Sequence, residues 1–404
     1  MMMGHTKLSS RERLLAAINH EEADHVPLTF RDTQLPETYG KTCNDQFEAV
    51  DIFLGLGIDP MLYIQPDNLW RLNREVNVEI HKGRSTEEVY PILTKDYHTP
   101  ECILRQAVRQ TPDWPDGDNV PLWSDFMVPR SRSVKYLIEN MDDVKCFSRL
   151  FSEPTERDYK DFQEKAERYK RFAEDRGVLI NSSMAISIGD IVAWSCGIDN
   201  AILFGFRRPE LLHKLLDVTL DWNLKYVQQI LESEVVDAVT CRGYYENMNM
   251  WSPRLYETFF APRLQKLSEM VHRGGAKFCY HNTTGIMPAL EVFRDIGVDI
   301  LYGPDPVEST IEVDLQETKD RVGEDICLWG GMNAPVTLGI GTSEEIIKGA
   351  WEAVRILAPG GGFILSALES IILGHDPKIC GSIPWENVEH MVKAWRKVCN
   401  YPIQ

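Results

Sequence analysis

A chain of 404 residues with 43% hydrophobic and 26% charged residues carries enough apolar material for a sizeable buried core, which argues against a disordered protein. Its formal net charge of -18 sets like charge against like at any nucleic-acid or anionic-lipid surface and excludes those partners, while leaving room for a basic protein partner. The opening stretch MMMGHTKLSSRERLLAAINH has no continuous apolar run, so neither a signal peptide nor a membrane span is expected there.

In chain order, an amphipathic helix containing Leu14, Leu15 and Ile18 precedes a first strand at 25–30 and a second at 61–64. The Pro- and Trp-bearing stretch 110–135 and the charged run 152–177 read as insertions. From about residue 177, short apolar runs alternate with amphipathic segments, the pattern of parallel βαβ units. The expected strands are 178–182, 235–241, 276–281, 298–302, 326–330 and 362–366, and most are apolar on both faces. Between them, Leu212, Leu216, Leu220, Leu224, Val227 and Leu231 draw one stripe along a helix over 209–234. Ser252 caps and Pro253 starts the next helix, which ends at Gly274. This alternation predicts one elaborated α/β domain over residues 1–404, with insertions within about 65–177.

The nine cysteines, at 43, 102, 146, 196, 241, 279, 327, 380 and 399, are odd in number and contain no C-x-x-C pair. That usage predicts reduced thiols and a cytoplasmic protein.

The segments SSRERLLAAINHEEADHVPLTF, WSPRLYETFFAPRLQKL, GGAKFCYHNTTG, IGVDILYGPDP, ICLWGGMN, GTSEEI and GGFILSALES occur in one order along the chain. In that order they resemble the uroporphyrinogen decarboxylase superfamily, within it the branch of cobalamin- and corrinoid-linked methyltransferases. The likeness weakens between 31 and 177, and His25 stands where an arginine is usual. It implies a (β/α)8 TIM barrel whose site lies at the C-terminal ends of the strands.

Reading each strand to its end gives a ring of Asn181 and Ser182, Glu246, His281, Asp305, Asn333 and Glu369. His281 follows AKFCY, and an imidazole there can bind zinc or move a proton near neutral pH. In thiol-directed relatives the resemblance implies an H-x-C motif and a later cysteine completing a zinc site; Thr283 and FILSALES stand here instead. A zinc ion, if held, would take His281, Glu246 and Glu369, with Cys279 as an alternative ligand. Cys279 reads equally as a small buried hydrophobe. Aromatic residues Trp194, Tyr244, Tyr245, Trp251, Tyr302, Trp329 and Phe363 fall near the same strand ends, a lining suited to a flat aryl ether or a corrin face. Gly360, Gly361 and Gly362 precede the last strand and read as a tight turn rather than a phosphate cradle.

The resemblance implies transfer of a methyl group from a methoxylated, aromatic substrate to the cobalt of a corrinoid held by a separate carrier protein. His281, Glu246 and Glu369 are the expected catalytic residues, and Asn181, Tyr244, Tyr245, Trp251, Tyr302, Asp305 and Asn333 the expected substrate contacts. Three other activities stay open: transfer from a thiol or amine, tetrapyrrole decarboxylation, and corrinoid or methyl-ligand binding without turnover. Decarboxylation calls for an arginine cluster after strand one, where only Arg31 stands.

Overall fold

The computed structural model describes residues 7–31, 45–84, 87–182, 186–306, 313–369, 371–373 and 382–403. Its central sheet is parallel. In spatial order it runs β1 (Met61–Ile64), β6 (Leu179–Ser182), β8 (Ala238–Arg242), β9 (Lys277–His281), β10 (Ile300–Tyr302), β11 (Cys327–Asn333) and β12 (Phe363–Leu368), with β7 (Ile186–Ser187) beside β8. The segment 25–30 closes the ring between β12 and β1. Thr29 N–H donates to Leu365 O, Leu365 N–H to Pro27 O, and Asp59 N–H to Leu28 O. The fold is therefore the (β/α)8 barrel that the resemblance implied, assembled from the alternating strands and helices of the sequence.

Alternation along each strand divides the interior from the helical jacket. Met61, Leu179, Ala238, Cys279, Ile300, Tyr302, Cys327, Trp329, Ile364 and Leu368 fill the barrel. Leu14, Ala17 and Ile18 of the helix Ser10–Ile18 join the same cluster and plug its base. That helix starts with a capping box between Ser9 and Glu12. Arg13 ties it down: its guanidinium reaches Asp59, at 2.5 Å, just before β1, and Asp24 at 2.6 Å.

Two expectations about the insertion region change. The charged run 152–177 is not an insertion but a jacket helix, Glu156–Arg176, lying on β1 and β6. It buries Phe162, Ala166, Tyr169 and Ala173, a four-three-four spacing that the abundance of charge conceals. What is inserted is an antiparallel sheet, β2 (Asn77–Gly83), β3 (Ile92–His98), β4 (Ile103–Arg109) and β5 (Ser133–Lys135), paired in sequence order. Leu93, Val108, Trp114, Val120 and Met127 form its own small core.

The cysteines divide similarly. Cys102 and Cys146 form a disulfide across a Cα separation of 6.1 Å, which corrects the expectation of reduced thiols at these two positions. It joins the start of β4 to the helix Met141–Phe147, a pairing made by folding and invisible in spacing. Cys196, Cys241, Cys279, Cys327 and Cys399 are free and buried. Cys43 and Cys380 lie outside the described residues. Among the described residues no helix is long and apolar enough to cross a membrane.

Candidate active site at the barrel mouth

His281 ends β9 and points into the barrel, fully buried, its ring against Tyr302 at 4.3 Å and Tyr244 at 4.7 Å between centroids. Tyr302 in turn packs on Trp329 at 4.4 Å, so these two rings form the floor under the imidazole. Arg31, the residue after the closing strand, brings Nη1 to 3.4 Å from His281 Nδ1. Tyr244 Oη lies 3.2 Å from His281 Nε2 and 3.3 Å from a Glu369 oxygen.

Donor chemistry orients this string. A guanidinium only donates, so His281 Nδ1 accepts and Nε2 carries the proton. Burial first, then the charges of Arg31 and Arg242, push the imidazole well below its ordinary pKa, so it is neutral at physiological pH. Nε2–H therefore donates to Tyr244 Oη, and the phenol O–H donates to Glu369. The string Arg31, His281, Tyr244, Glu369 is polarised in one direction. Burial raises the Glu369 carboxyl above its ordinary range against the lowering pull of Tyr244 and Arg31. Glu369 also has a φ of 77°, left-handed backbone that costs a non-glycine residue on the order of 1–3 kcal/mol and is concentrated at functional sites.

The expected ring of residues is only partly assembled. Glu246 is separated from His281. It is fully buried behind the barrel wall, accepting from Gly189 N–H at 2.6 Å and Tyr280 O–H at 3.0 Å. Tyr280 precedes His281 on β9 and faces the jacket, packing on Phe293, which explains why Glu246 cannot also meet the imidazole. Cys279 faces inward but sits in the packed interior beside Ile300, its thiol pushed up to about 12 by burial. Trp251 is likewise structural, its Nε1 donating to Tyr245 O at 2.8 Å, and Phe363 faces the jacket. Asn181 accepts from Thr240 Oγ1 at 2.9 Å inside the barrel, and Asn333 Nδ2 donates to Asp305 at 2.6 Å.

The donor set for zinc is therefore not formed. Among the described residues no three His, Cys, Asp or Glu side chains converge to hold a metal ion. Both His281 nitrogens are engaged, by Arg31 and by Tyr244, and a guanidinium beside the ring repels a second cation.

Strand-end reading overlooked a second group, centred on Arg242. The last residue of β8, it lies over the Tyr244 ring at 4.3 Å and the Trp194 ring at 5.1 Å. Asp190 holds its Nε at 2.9 Å. From the inserted region, Asp125 accepts from Trp194 Nε1 at 2.8 Å and Tyr245 Oη at 3.0 Å. Trp123 adds a bond to Ser195 Oγ at 3.1 Å. The period-two alternation of β8 carried the signal for Arg242, since Ala238 and Thr240 precede it on the inward face.

A closed parallel barrel with a buried base, a phenol and a carboxyl at the C-terminal ends of its strands is the arrangement on which (β/α)8 enzymes build their sites. Residues 191–398, just over half of the chain, match the uroporphyrinogen decarboxylase (URO-D) family model, and the protein belongs to that family. It is 29% identical over 197 residues to uroporphyrinogen decarboxylase of Trichodesmium erythraeum (strain IMS101), covering 48% of this chain and 49% of that protein. With the enzyme of the same name from Synechococcus sp. (strain CC9605) it shares 30% over 195 residues, again 48% and 49% of the two chains. The matches thus span about half the length of these relatives. A methyltransferase from Methanosarcina mazei has the same fold over 96% of this chain and 99% of its own, with a TM-score of 0.57 and 19% identity.

Proposed function

We propose that this protein is a methyltransferase that removes the methyl group from an aryl methyl ether and delivers it to a corrinoid on a separate carrier protein. The observation that carries this reading is the polarised string ending in Tyr244 and Glu369, since an ether oxygen needs a proton as it departs. When the carrier is docked, its corrinoid supplies the nucleophile that takes the methyl carbon. The chain's own residues do the rest. As the methyl–oxygen bond breaks, its electron pair stays on oxygen, and protonated Glu369 delivers the proton that makes the phenol product. Tyr244 holds that carboxyl in place through its O–H, and Arg31 and His281 fix the phenol's orientation. Tyr302, Tyr244 and Trp194 supply the flat apolar lining an aryl ring requires. Exposed Met250, Val336 and Ile340, in segments following β8 and β11, offer the carrier an apolar rim.

The test is single-turnover methyl transfer from a panel of methoxylated aromatics to a reduced corrinoid carrier, followed by its absorbance. Transfer that falls about 10²–10⁴-fold in Glu369→Gln or Tyr244→Phe supports the assignment. No transfer from any ether in the wild type overturns it.

Arg242 favours a second reading, decarboxylation, because with Arg31 it gives the mouth two cations where the sequence promised one. Carbon dioxide release from uroporphyrinogen would decide for it.

A further inference from the structure

The turn Gly243–Glu246 carries Tyr244, and its backbone is pegged almost group by group. Gly243 N–H donates to His281 O at 2.9 Å, and Asn282 Nδ2 donates to Gly243 O at 3.0 Å. Asn247 Nδ2 holds Tyr244 O at 2.5 Å, and Trp251 Nε1 holds Tyr245 O at 2.8 Å. Two of the pegs are carboxylates, and they are reciprocal. Tyr245 N–H donates to Asp190 Oδ1 at 2.8 Å, while Gly189 N–H donates to Glu246 Oε2 at 2.6 Å. Each of two chain segments thus gives one backbone donor to the other's buried acid.

Close packing makes the arrangement specific. A Cβ on Gly189 would lie 2.5 Å from Glu246 Cβ, and one on Gly243 would lie 2.3 Å from Tyr280 Oη, the hydroxyl that donates to Glu246. Asp190 and Glu246 are both fully buried, so neither is a surface acid that happens to find a partner. Asp190 has a further effect, drawing Arg242 to 2.9 Å and so laying its guanidinium on the Tyr244 ring.

We infer that Asp190 and Glu246 are positioning residues: a reciprocal carboxylate clasp that seats the Tyr244 phenol between His281 and Glu369. This rests on the reading of Tyr244 as part of the proton-handling string. The clasp gives Glu246 a role different from the ligand or acid that its strand-end position suggested, and it brings Gly189 into the site's design. A displacement of the phenol by about 1 Å costs on the order of 10²-fold in rate.

The experiment labels tyrosine at Cζ with ¹³C and assigns the Tyr244 resonance by its loss in Tyr244→Phe. In the wild type the signal should lie away from the free-tyrosine position. Glu246→Ala should move it toward that position, and Glu246→Gln, which keeps one oxygen to accept from Gly189 N–H and turns an amide N–H toward the Tyr280 hydroxyl, should restore it. Gly189→Ala should move it without altering either acid. In transfer assays the two alanine variants should lose kcat about 10²-fold at unchanged KM for the ether. If Glu246→Ala does not fold, Gly189→Ala and Asp190→Ala, which removes the acceptor for Tyr245 N–H, carry the test. A Tyr244 resonance unmoved in the alanine variants that fold overturns the clasp, whatever happens to activity. A resonance that moves in a protein that transfers methyl from no ether upholds the clasp and removes only the methyltransferase reading.

Discussion

At Glu369 three independent features coincide: a left-handed backbone, a carboxyl raised by burial, and a phenol O–H donated to it. If protonated Glu369 is the acid, the rate depends on the fraction of the carboxyl that keeps its proton. Transfer should then be full at the acid end and fall as pH rises through the folded-state value, which burial raises from the ordinary carboxyl value. A pH–rate profile of single-turnover transfer checks the sign, and Glu369→Gln should flatten that limb while lowering the plateau. His281 adds no limb of its own near neutrality, because burial and Arg31 hold it neutral there. Removing Arg31 should change this. In Arg31→Ala the nearest cation is gone, so the imidazole should take up a proton closer to its ordinary range, readable by imidazole NMR.

At the scale of the elements, the N-terminal helix Ser10–Ile18 is anchored by a single side chain. Arg13 is nearly fully buried and joins two acids, Asp59 and Asp24. Asp59 is itself raised to about 6, because its desolvation outweighs the attraction of Arg13. Arg13→Ala leaves that acid buried without its cation, and denaturant unfolding should show a loss of about 3–5 kcal/mol. Most barrel elements were legible because their physics is local. A strand apolar on both faces and a helix with one stripe follow from period alone, and β6, β8, β9, β10, β11 and β12 fall within a few residues of expectation. The helix Glu156–Arg176 was misread because its many charged residues hide a narrow buried stripe. The antiparallel β2–β5 sheet was missed because its strands, notably the exposed β2, lack an apolar run. The turn at Gly360–Gly362 behaves as read, each residue having φ between 72° and 79°.

For the molecule as a whole, the candidate site was legible to the depth at which strand ends predict proximity, and no further. His281, Tyr244 and Glu369 are brought together, because each ends or follows a barrel strand and faces inward. Glu246 also follows a strand end, but the turn after β8 carries it round to the jacket, and only the packing against Gly189 and Tyr280 reveals that. Arg242 and Asp125 meet across a chain separation that no local pattern records. Because the expected zinc donors do not converge, chelation is a whole-protein test. Dialysis against EDTA should leave the proposed transfer rate and the unfolding temperature unchanged, and loss of either would reveal donors beyond the described residues.

The barrel's seam has a bearing on the site. Arg31, the first donor of the proton string, directly follows the stave that closes the ring, and that stave is bound to β12 through Thr29, Leu365 and Pro27. Integrity of the ring and polarity of the string are thus linked: an opening of the seam would draw Arg31, the orienting cation, away from His281. Amide exchange should find Thr29 and Leu365 opening at lower free energy than the β8–β9 pairing. The moments when the seam parts would then be moments when the mouth is chemically silent, a timing set by the edge of the sheet rather than by the substrate.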